Sequence, residues 1–184
     1  MSLPVRLRQT ARRMSSPSPT LRRDLPSLAA TEALAAAIAR LARRGDAILL
    51  EGPLGAGKTA FARAFLRAAT GDPALEVPSP SFTLVQSYET RLGPVHHFDL
   101  WRLDGPAALA ELGWDEARED LVLVEWPDRL GHLRPAAEAP GTLTILLSAA
   151  PRDETPGDET PEDDTPDTRH ALLSGWPDRI ALLA

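Results

Sequence analysis

An α/β fold is the architecture this sequence predicts, and three observations point to it. Strand-like and helix-like segments alternate along the chain. Two short runs, Ala47-Ile48-Leu49-Leu50 and Leu121-Val122-Leu123-Val124, have the continuous hydrophobicity of buried strands, and each ends in a glutamate. Between the first run and a helix-forming segment lies Gly52-Pro53-Leu54-Gly55-Ala56-Gly57-Lys58-Thr59, which matches the phosphate-loop pattern G-x-x-x-x-G-K-[ST] in full. Strand, glycine loop and helix, in that order, form the phosphate-binding unit.

Taken in order, the elements begin after a basic, Ser/Pro-rich leader over 1–20, whose composition predicts disorder. A domain over 21–150 follows. Thr31 is placed to cap a helix over 32–43, with Leu34, Ile38 and Leu41 on its apolar face. The turn Arg44-Gly45-Asp46 leads into the strand over 47–51. Beyond the loop, residues 60–69 are rich in helix formers and stop at Thr70-Gly71-Asp72-Pro73. Residues 82–88 and 95–100 read as two strands, and Arg91-Leu92-Gly93-Pro94 between them predicts an antiparallel pair. Pro106 suits the first turn of a short helix that Gly113 closes. Strands are predicted again at 121–125 and 142–147. The tract 151–168 repeats Glu/Asp-Thr-Pro and cannot build a core, so it reads as a disordered insertion ahead of a packed C-terminal element over 169–184.

The loop carries the chemistry. Its glycines let the backbone wrap phosphates, and the free N–H groups at the following helix start bind anionic oxygens. Lys58 is the only lysine in the chain. Its compact ammonium suits the space between the β- and γ-phosphates better than an arginine fork does, and the Thr59 hydroxyl suits magnesium. Such a site also needs an acid near the metal, and often a second to position water. Asp99 and Glu125 are the candidates, because each ends an apolar strand run and ligands collect at the carboxyl ends of parallel strands. Ser79-Pro80-Ser81-Phe82-Thr83 supplies hydroxyls in the place where a segment closing over the γ-phosphate is expected; a plain Ser/Pro connection has the same pattern. Trp126 after Glu125 suits a nucleotide neighbour, a partner surface or the core. His96 and His97 read as the two faces of a strand. A guanine reader of the Asn-Lys-x-Asp form is excluded, since the chain has no asparagine, which favours ATP.

Composition bounds the remaining classes. Cysteine is absent, so there is no disulfide framework, thiol nucleophile or cysteine zinc site. No apolar run reaches the roughly 18 residues that span a bilayer. No apolar region follows the N-terminal arginines, so no secretory signal is expected and cytoplasm is the default compartment. The formal charge is -6, but residues 152–167 hold eight acids against Arg152 alone, and without that stretch the charge is +1. Residues 1–23 carry six arginines and no acid, an arm that suits RNA or an acidic partner and equally a leader without a role.

Taken together, five segments resemble one family, the bacterial ATPase TsaE (formerly YjeE), required for threonylcarbamoyladenosine modification of tRNA. They are Glu51 to Thr59, then Ser79-Pro80-Ser81-Phe82-Thr83-Leu84-Val85, His97-Phe98-Asp99-Leu100-Trp101-Arg102-Leu103, Glu111-Leu112-Gly113 and Leu123-Val124-Glu125-Trp126-Pro127. The likeness covers about residues 25–150. Ser81 stands where the family usually has threonine, and Trp101 where it commonly has tyrosine; neither change removes a phosphate or metal ligand. The resemblance implies a three-layer P-loop NTPase-type fold with a mostly parallel central sheet and a small antiparallel part. It implies ATP and Mg2+ as cofactors, weak hydrolysis alone, and TsaB and TsaD as partners, with tRNA reached through them. Within this chain it implies Lys58, Asp99 and Glu125 as catalytic, and Thr59, Glu125 and Asp99 as serving magnesium. Pro53, Leu54, Gly55, Ala56, Gly57, Ala60, Ser81, Thr83 and Trp126 would complete the nucleotide site. The competing readings are a small-molecule or nucleotide kinase, which usually has an arginine-rich lid not evident here, and a regulatory protein that binds ATP without meaningful turnover.

Overall fold

The computed structural model describes residues 19–149 and 168–184. The expected disordered leader and acidic insertion lie outside the described residues, apart from residues at their edges. The strands are β1 (Thr20–Leu25), β2 (Ala47–Glu51), β3 (Val85–Thr90), β4 (Gly93–Asp99), β5 (Leu121–Glu125), β6 (Thr142–Ala149) and β7 (Arg169–Gly175). They form one seven-stranded sheet in the order β1-β7-β6-β2-β5-β4-β3. The centre, β6-β2-β5-β4, is parallel. Antiparallel strands flank it on both sides, β3 beyond β4, and β7 then β1 beyond β6.

Alternation along the central strands explains why their runs are apolar throughout. Ile48 and Leu50 of β2 and Leu121 and Leu123 of β5 face one core. Ala47 and Leu49, with Val122 and Val124, face another. The first core is covered by α1 (Leu28–Leu41) and α2 (Lys58–Thr70), which supply Ile38, Phe61, Phe65 and Leu66. The second is covered by α3 (Trp114–Ala117) and the 3-10 turns Pro106–Leu109 and Pro127–Leu133, through Trp114, Leu109 and Leu130. Helices on both faces of one sheet make the three-layer α/β fold.

Several local features differ from the expected elements; the strand expected at 82–88 is Val85–Thr90, because residues 81–83 form a turn that ends at Leu84 with φ 64°. The cap of α1 is Ser27, not Thr31: the Ser27 side chain accepts from Ala30 N at 3.2 Å, from an extended backbone that follows Pro26. Thr31 lies buried inside the helix, which gains a turn because Leu28, Ala29 and Ala30 are good helix formers. The segment from Pro106 is a 3-10 turn ending at Leu109, and α3 starts beyond Gly113. The strand β1 is an addition to the expected elements. Beyond β7, Trp176, Ile180 and Leu183 are buried in the first core.

Candidate functional site

The parallel strands β2, β4 and β5 end side by side, and this places the chain's key carboxylates. Asp99 closes β4 in register with Glu125 at the end of β5, while Glu125 pairs with Leu50 of β2, just ahead of the loop. The glycine loop leaves β2 at the same edge. Gly52 has φ 132°, and a Cβ there would stand 2.2 Å from the Leu147 carbonyl oxygen of β6, so only glycine lets the loop start this close to the sheet. Gly57 caps α2 in the left-handed region with φ 97°, turning the loop into the helix. Sheet edge, loop and the start of α2 enclose a cleft of about 450 Å³.

Most of the expected site residues meet in this cleft. Leu54, Gly55, Gly57 and Ala60 line it from the loop and the first turn of α2, and Ser81 from the connection before β3. Lys58, Thr59, Asp99, Glu125 and Trp126 complete that set. Pro53 takes part through its carbonyl, and Ala56 is buried beneath the loop. Thr83 is exposed and does not line the cleft.

The polar contacts divide the two acids between two partners. Thr59 Oγ1 donates to Glu125 Oε2 at 2.9 Å, and the other Glu125 oxygen lies 3.0 Å from His97 Nε2. Both members of the His97–Glu125 pair are buried. A carboxylate only accepts, so the proton of this contact is on Nε2, and Nδ1 is buried without a hydrogen-bond partner among the described residues. Asp99 belongs to the other segment: Ser79 Oγ donates to its Oδ2 at 2.6 Å, and Trp101 N donates to its Oδ1 at 3.2 Å.

Lys58 is buried, and its Nζ donates to the Gly52 and Pro53 carbonyl oxygens, both at 2.8 Å. It also sits 3.7 Å from the centroid of the Trp126 ring, a cation–π contact. Burial lowers the ammonium below its ordinary pKa of 10.5, opposed by the charges of Glu125 and Asp99. Trp126 itself has φ 60°, an uncommon conformation for a bulky residue and one that occurs mainly where a site over-determines it. It packs against Trp101 with centroids 4.4 Å apart and the rings tilted by 45°, so two tryptophans form one wall of the cleft.

The acids and the Thr59 hydroxyl form a hard oxygen set of the kind magnesium takes beside phosphates, where one or two carboxylates suffice. Among the described residues, no group of three or more His, Cys, Asp or Glu is disposed to hold a metal on its own. No described helix is long and apolar enough to cross a membrane.

Three cleft residues, Ser79, Trp101 and Arg169, and the buried His97 behind Glu125 are not singled out by the sequence as site residues. Ser79 and Trp101 stand inside recognised segments, but nothing in the pattern shows which hydroxyl or ring points inward. His97 has the signal of alternation along β4, which turns it into the sheet interior beside Glu125. Arg169 has no sequence signal, since it lies beyond the acidic tract.

Comparison with known proteins bears on the family and the fold. The family model for "Threonylcarbamoyl adenosine biosynthesis protein TsaE" matches residues 25–154. A curated relative, the tRNA threonylcarbamoyladenosine biosynthesis protein TsaE of Rickettsia felis, is 39% identical over 104 residues, covering 56% of this chain and 60% of that protein. The TsaE protein of the same description from Bacillus subtilis is 35% identical over 126 residues, 67% of this chain and 75% of that one. Among solved structures, that of YdiB from Bacillus subtilis superposes with a TM-score of 0.64 at 27% identity, covering 92% of this chain and 94% of the other. The stretches shared with the TsaE proteins of Rickettsia felis and Rickettsia conorii span about three fifths of those two relatives' length. On the family match, which takes in the loop, both acids and Trp126, the chain belongs to the TsaE family.

Proposed function

We propose that this chain is a magnesium-dependent ATPase, weak alone, that supports the TsaB–TsaD complex in forming N6-threonylcarbamoyladenosine at position 37 of tRNAs reading codons that start with A. The observation that carries the reading is the direct contact of Thr59 with Glu125 beside Lys58, which joins the loop to an acid at a strand end. Lys58 neutralises phosphate charge. Thr59 and Glu125 would hold magnesium, which would supply charge neutralisation for the phosphates. Asp99, fixed by Ser79 and the Trp101 amide, serves as the second acid and orients the attacking water. His97 keeps the Glu125 carboxylate turned toward Thr59.

A protein partner is supported by the rim. Leu54, 78% exposed, stands with the half-exposed Trp101 on the cleft wall. Large apolar side chains left bare at the mouth of a site suit a docking surface. The test is ATP hydrolysis with and without the TsaB–TsaD complex. Slow turnover that rises with the complex is the expected result; turnover indifferent to it would overturn the assignment to tRNA modification.

The lowered Lys58 pKa adds a pH dependence with a definite sign. The ammonium form binds phosphate, so ATP affinity should fall as pH rises through that pKa, and the fall should begin below the range of an ordinary lysine. Calorimetric titration with ATP between about pH 7 and 10 would show it. Lys58→Ala should lack this dependence; the same decline in the variant would assign it to another group.

A further inference from the structure

Trp126 stands directly after the end of β5, and Pro127 follows it at the head of a 3-10 turn. Its φ of 60° is one that a bulky residue rarely adopts and glycine adopts freely. From this bend the indole lies over the Lys58 ammonium, 3.7 Å from nitrogen to ring centroid. An ammonium has three N–H donors, and here the Gly52 and Pro53 carbonyl oxygens take two of them. The ring covers the ammonium as well, and Lys58 is only 5% exposed. A phosphate oxygen on that side would need about 2.8 Å from the nitrogen and about 3.5 Å from the ring carbons. A spacing of 3.7 Å holds no such atom.

We propose that Trp126 is an autoinhibitory cover on Lys58, braced by Trp101, which a triphosphate must push aside before it meets the ammonium. The proposal rests on the reading of the cleft as an ATP site and adds a regulation to that site. Two features carry it beyond the contact itself. The first is that the exchange is feasible. The two carbonyl contacts hold the ammonium in place whether or not the ring is there, so only the indole has to leave. A cation–π contact gives way to a charge-assisted hydrogen bond, which is the stronger of the two. Phosphate therefore wins, with its affinity reduced by the cost of lifting the cover.

The second feature is the brace. The Trp101 ring packs on Trp126, while its own backbone N–H is tied to Asp99 Oδ1. The backbone is thus anchored, and the half-exposed ring lies between the cover and the rim, where Leu54 is bare. A protein with an apolar surface that docks on this rim meets Trp101, and shifting that ring removes the brace from Trp126. Partner control of Lys58 then needs no partner residue inside the cleft.

The experiment measures, by calorimetry on the full chain with magnesium, affinity for ATP and for inorganic tripolyphosphate, which has the phosphates without the base. Trp126→Gly, which suits a φ of 60°, should bind both ligands about three- to thirtyfold more tightly, the size of a cation–π contact. Trp126→Phe keeps a weaker ring face and should fall between that variant and the wild type. Trp101→Ala should tighten binding less, and should add little on top of Trp126→Gly because it acts through that ring. Circular dichroism checks the fold, and Trp126→Phe carries the test if glycine disturbs it. Unchanged or weaker binding of tripolyphosphate in the Trp126 variants, beside a wild type that binds ATP, would overturn this inference alone. Weaker binding of ATP only would make the indole a platform for the base and overturn it too. A double variant whose gain is the product of the two single gains would overturn the brace. Failure of both Trp126 variants to fold would make the residue structural and overturn the cover. If neither the wild type nor Trp126→Gly binds ATP, the ATP reading falls, and this inference with it.

Discussion

Lys58→Ala should abolish partner-stimulated ATP hydrolysis while leaving the protein folded and still able to bind nucleotide. The Lys58 ammonium is a cation at the loop, held by the Gly52 and Pro53 carbonyls and packed on Trp126. It is therefore fixed before substrate arrives, and a preorganised charge stabilises developing negative charge without reorganising. Removing one such donor costs on the order of 10²–10³ in kcat, and phosphoryl transfer, which relies almost wholly on positioning and electrostatics, should sit at the upper end. Affinity should fall less, because the loop backbone and the start of α2 remain.

The fold should survive for a separate reason. Burial disfavours the Lys58 ammonium, so its removal relieves a desolvation cost, while Asp99 and Glu125 lose a favourable charge. These effects oppose each other, and the melting temperature should move only a few degrees. Lys58→Arg should not rescue turnover, since a planar fork does not fit between two carbonyls and an indole face. The measurement is kcat with the TsaB–TsaD complex beside a thermal melt and an ATP titration of each variant. Turnover retained within about threefold would show that the loop lysine does not serve the chemistry.

The parts of this molecule that could be read in the sequence are those whose cause is local. The loop motif is contiguous, so Lys58 and Thr59 were legible outright. Asp99 and Glu125 were legible because a strand run that ends in an acid needs only the rule that parallel strands finish at one edge. The strands β2 and β5 stood out because burial on both faces removes polar alternation altogether. What could not be read depends on long-range pairing. The strand β1, Thr20-Leu21-Arg22-Arg23-Asp24-Leu25, is polar on most positions and exists through its single partner β7. His97 beside Glu125 requires the register of β4 on β5. Arg169 requires knowing that the chain returns antiparallel to β6 after the acidic tract. The cap of α1 was misplaced because Ser27 and Thr31 are both good caps, and only the extended backbone at Ser27 decides between them.

The same long-range logic gives the largest expected loss of stability, at Arg179. Its guanidinium makes a two-pronged contact with Asp46, Nη1 to Oδ2 at 2.7 Å and Nη2 to Oδ1 at 2.9 Å, and both residues are 3% exposed. Nη1 also donates to Leu41 O at the end of α1, and Nη2 to Pro140 O ahead of β6. The Arg179 Cζ lies over the Trp176 ring, 4.1 Å from its centroid. One side chain thus ties the end of the chain to α1, to the turn that enters β2 and to the approach to β6. Arg179→Ala leaves the buried Asp46 charge without its partner, and such a break costs about 3–5 kcal/mol. For a chain of this size that lowers Tm by on the order of 10 °C. The cost comes from the orphaned charge more than from the lost attraction. Arg179→Met combined with Asp46→Asn, which removes both charges and keeps volume, should therefore recover most of the loss. Asp46 Oδ2 also accepts from Arg43 N at 2.7 Å, a contact the asparagine oxygen can keep. Chemical denaturation of the two single variants and the double variant decides the matter. A double variant as unstable as the sum of the singles would mean that the contacts to Leu41, Pro140 and Trp176, and not the ion pair, hold this corner. Because Arg179 does not line the cleft, ATP affinity measured well below the lowered Tm should match the wild type.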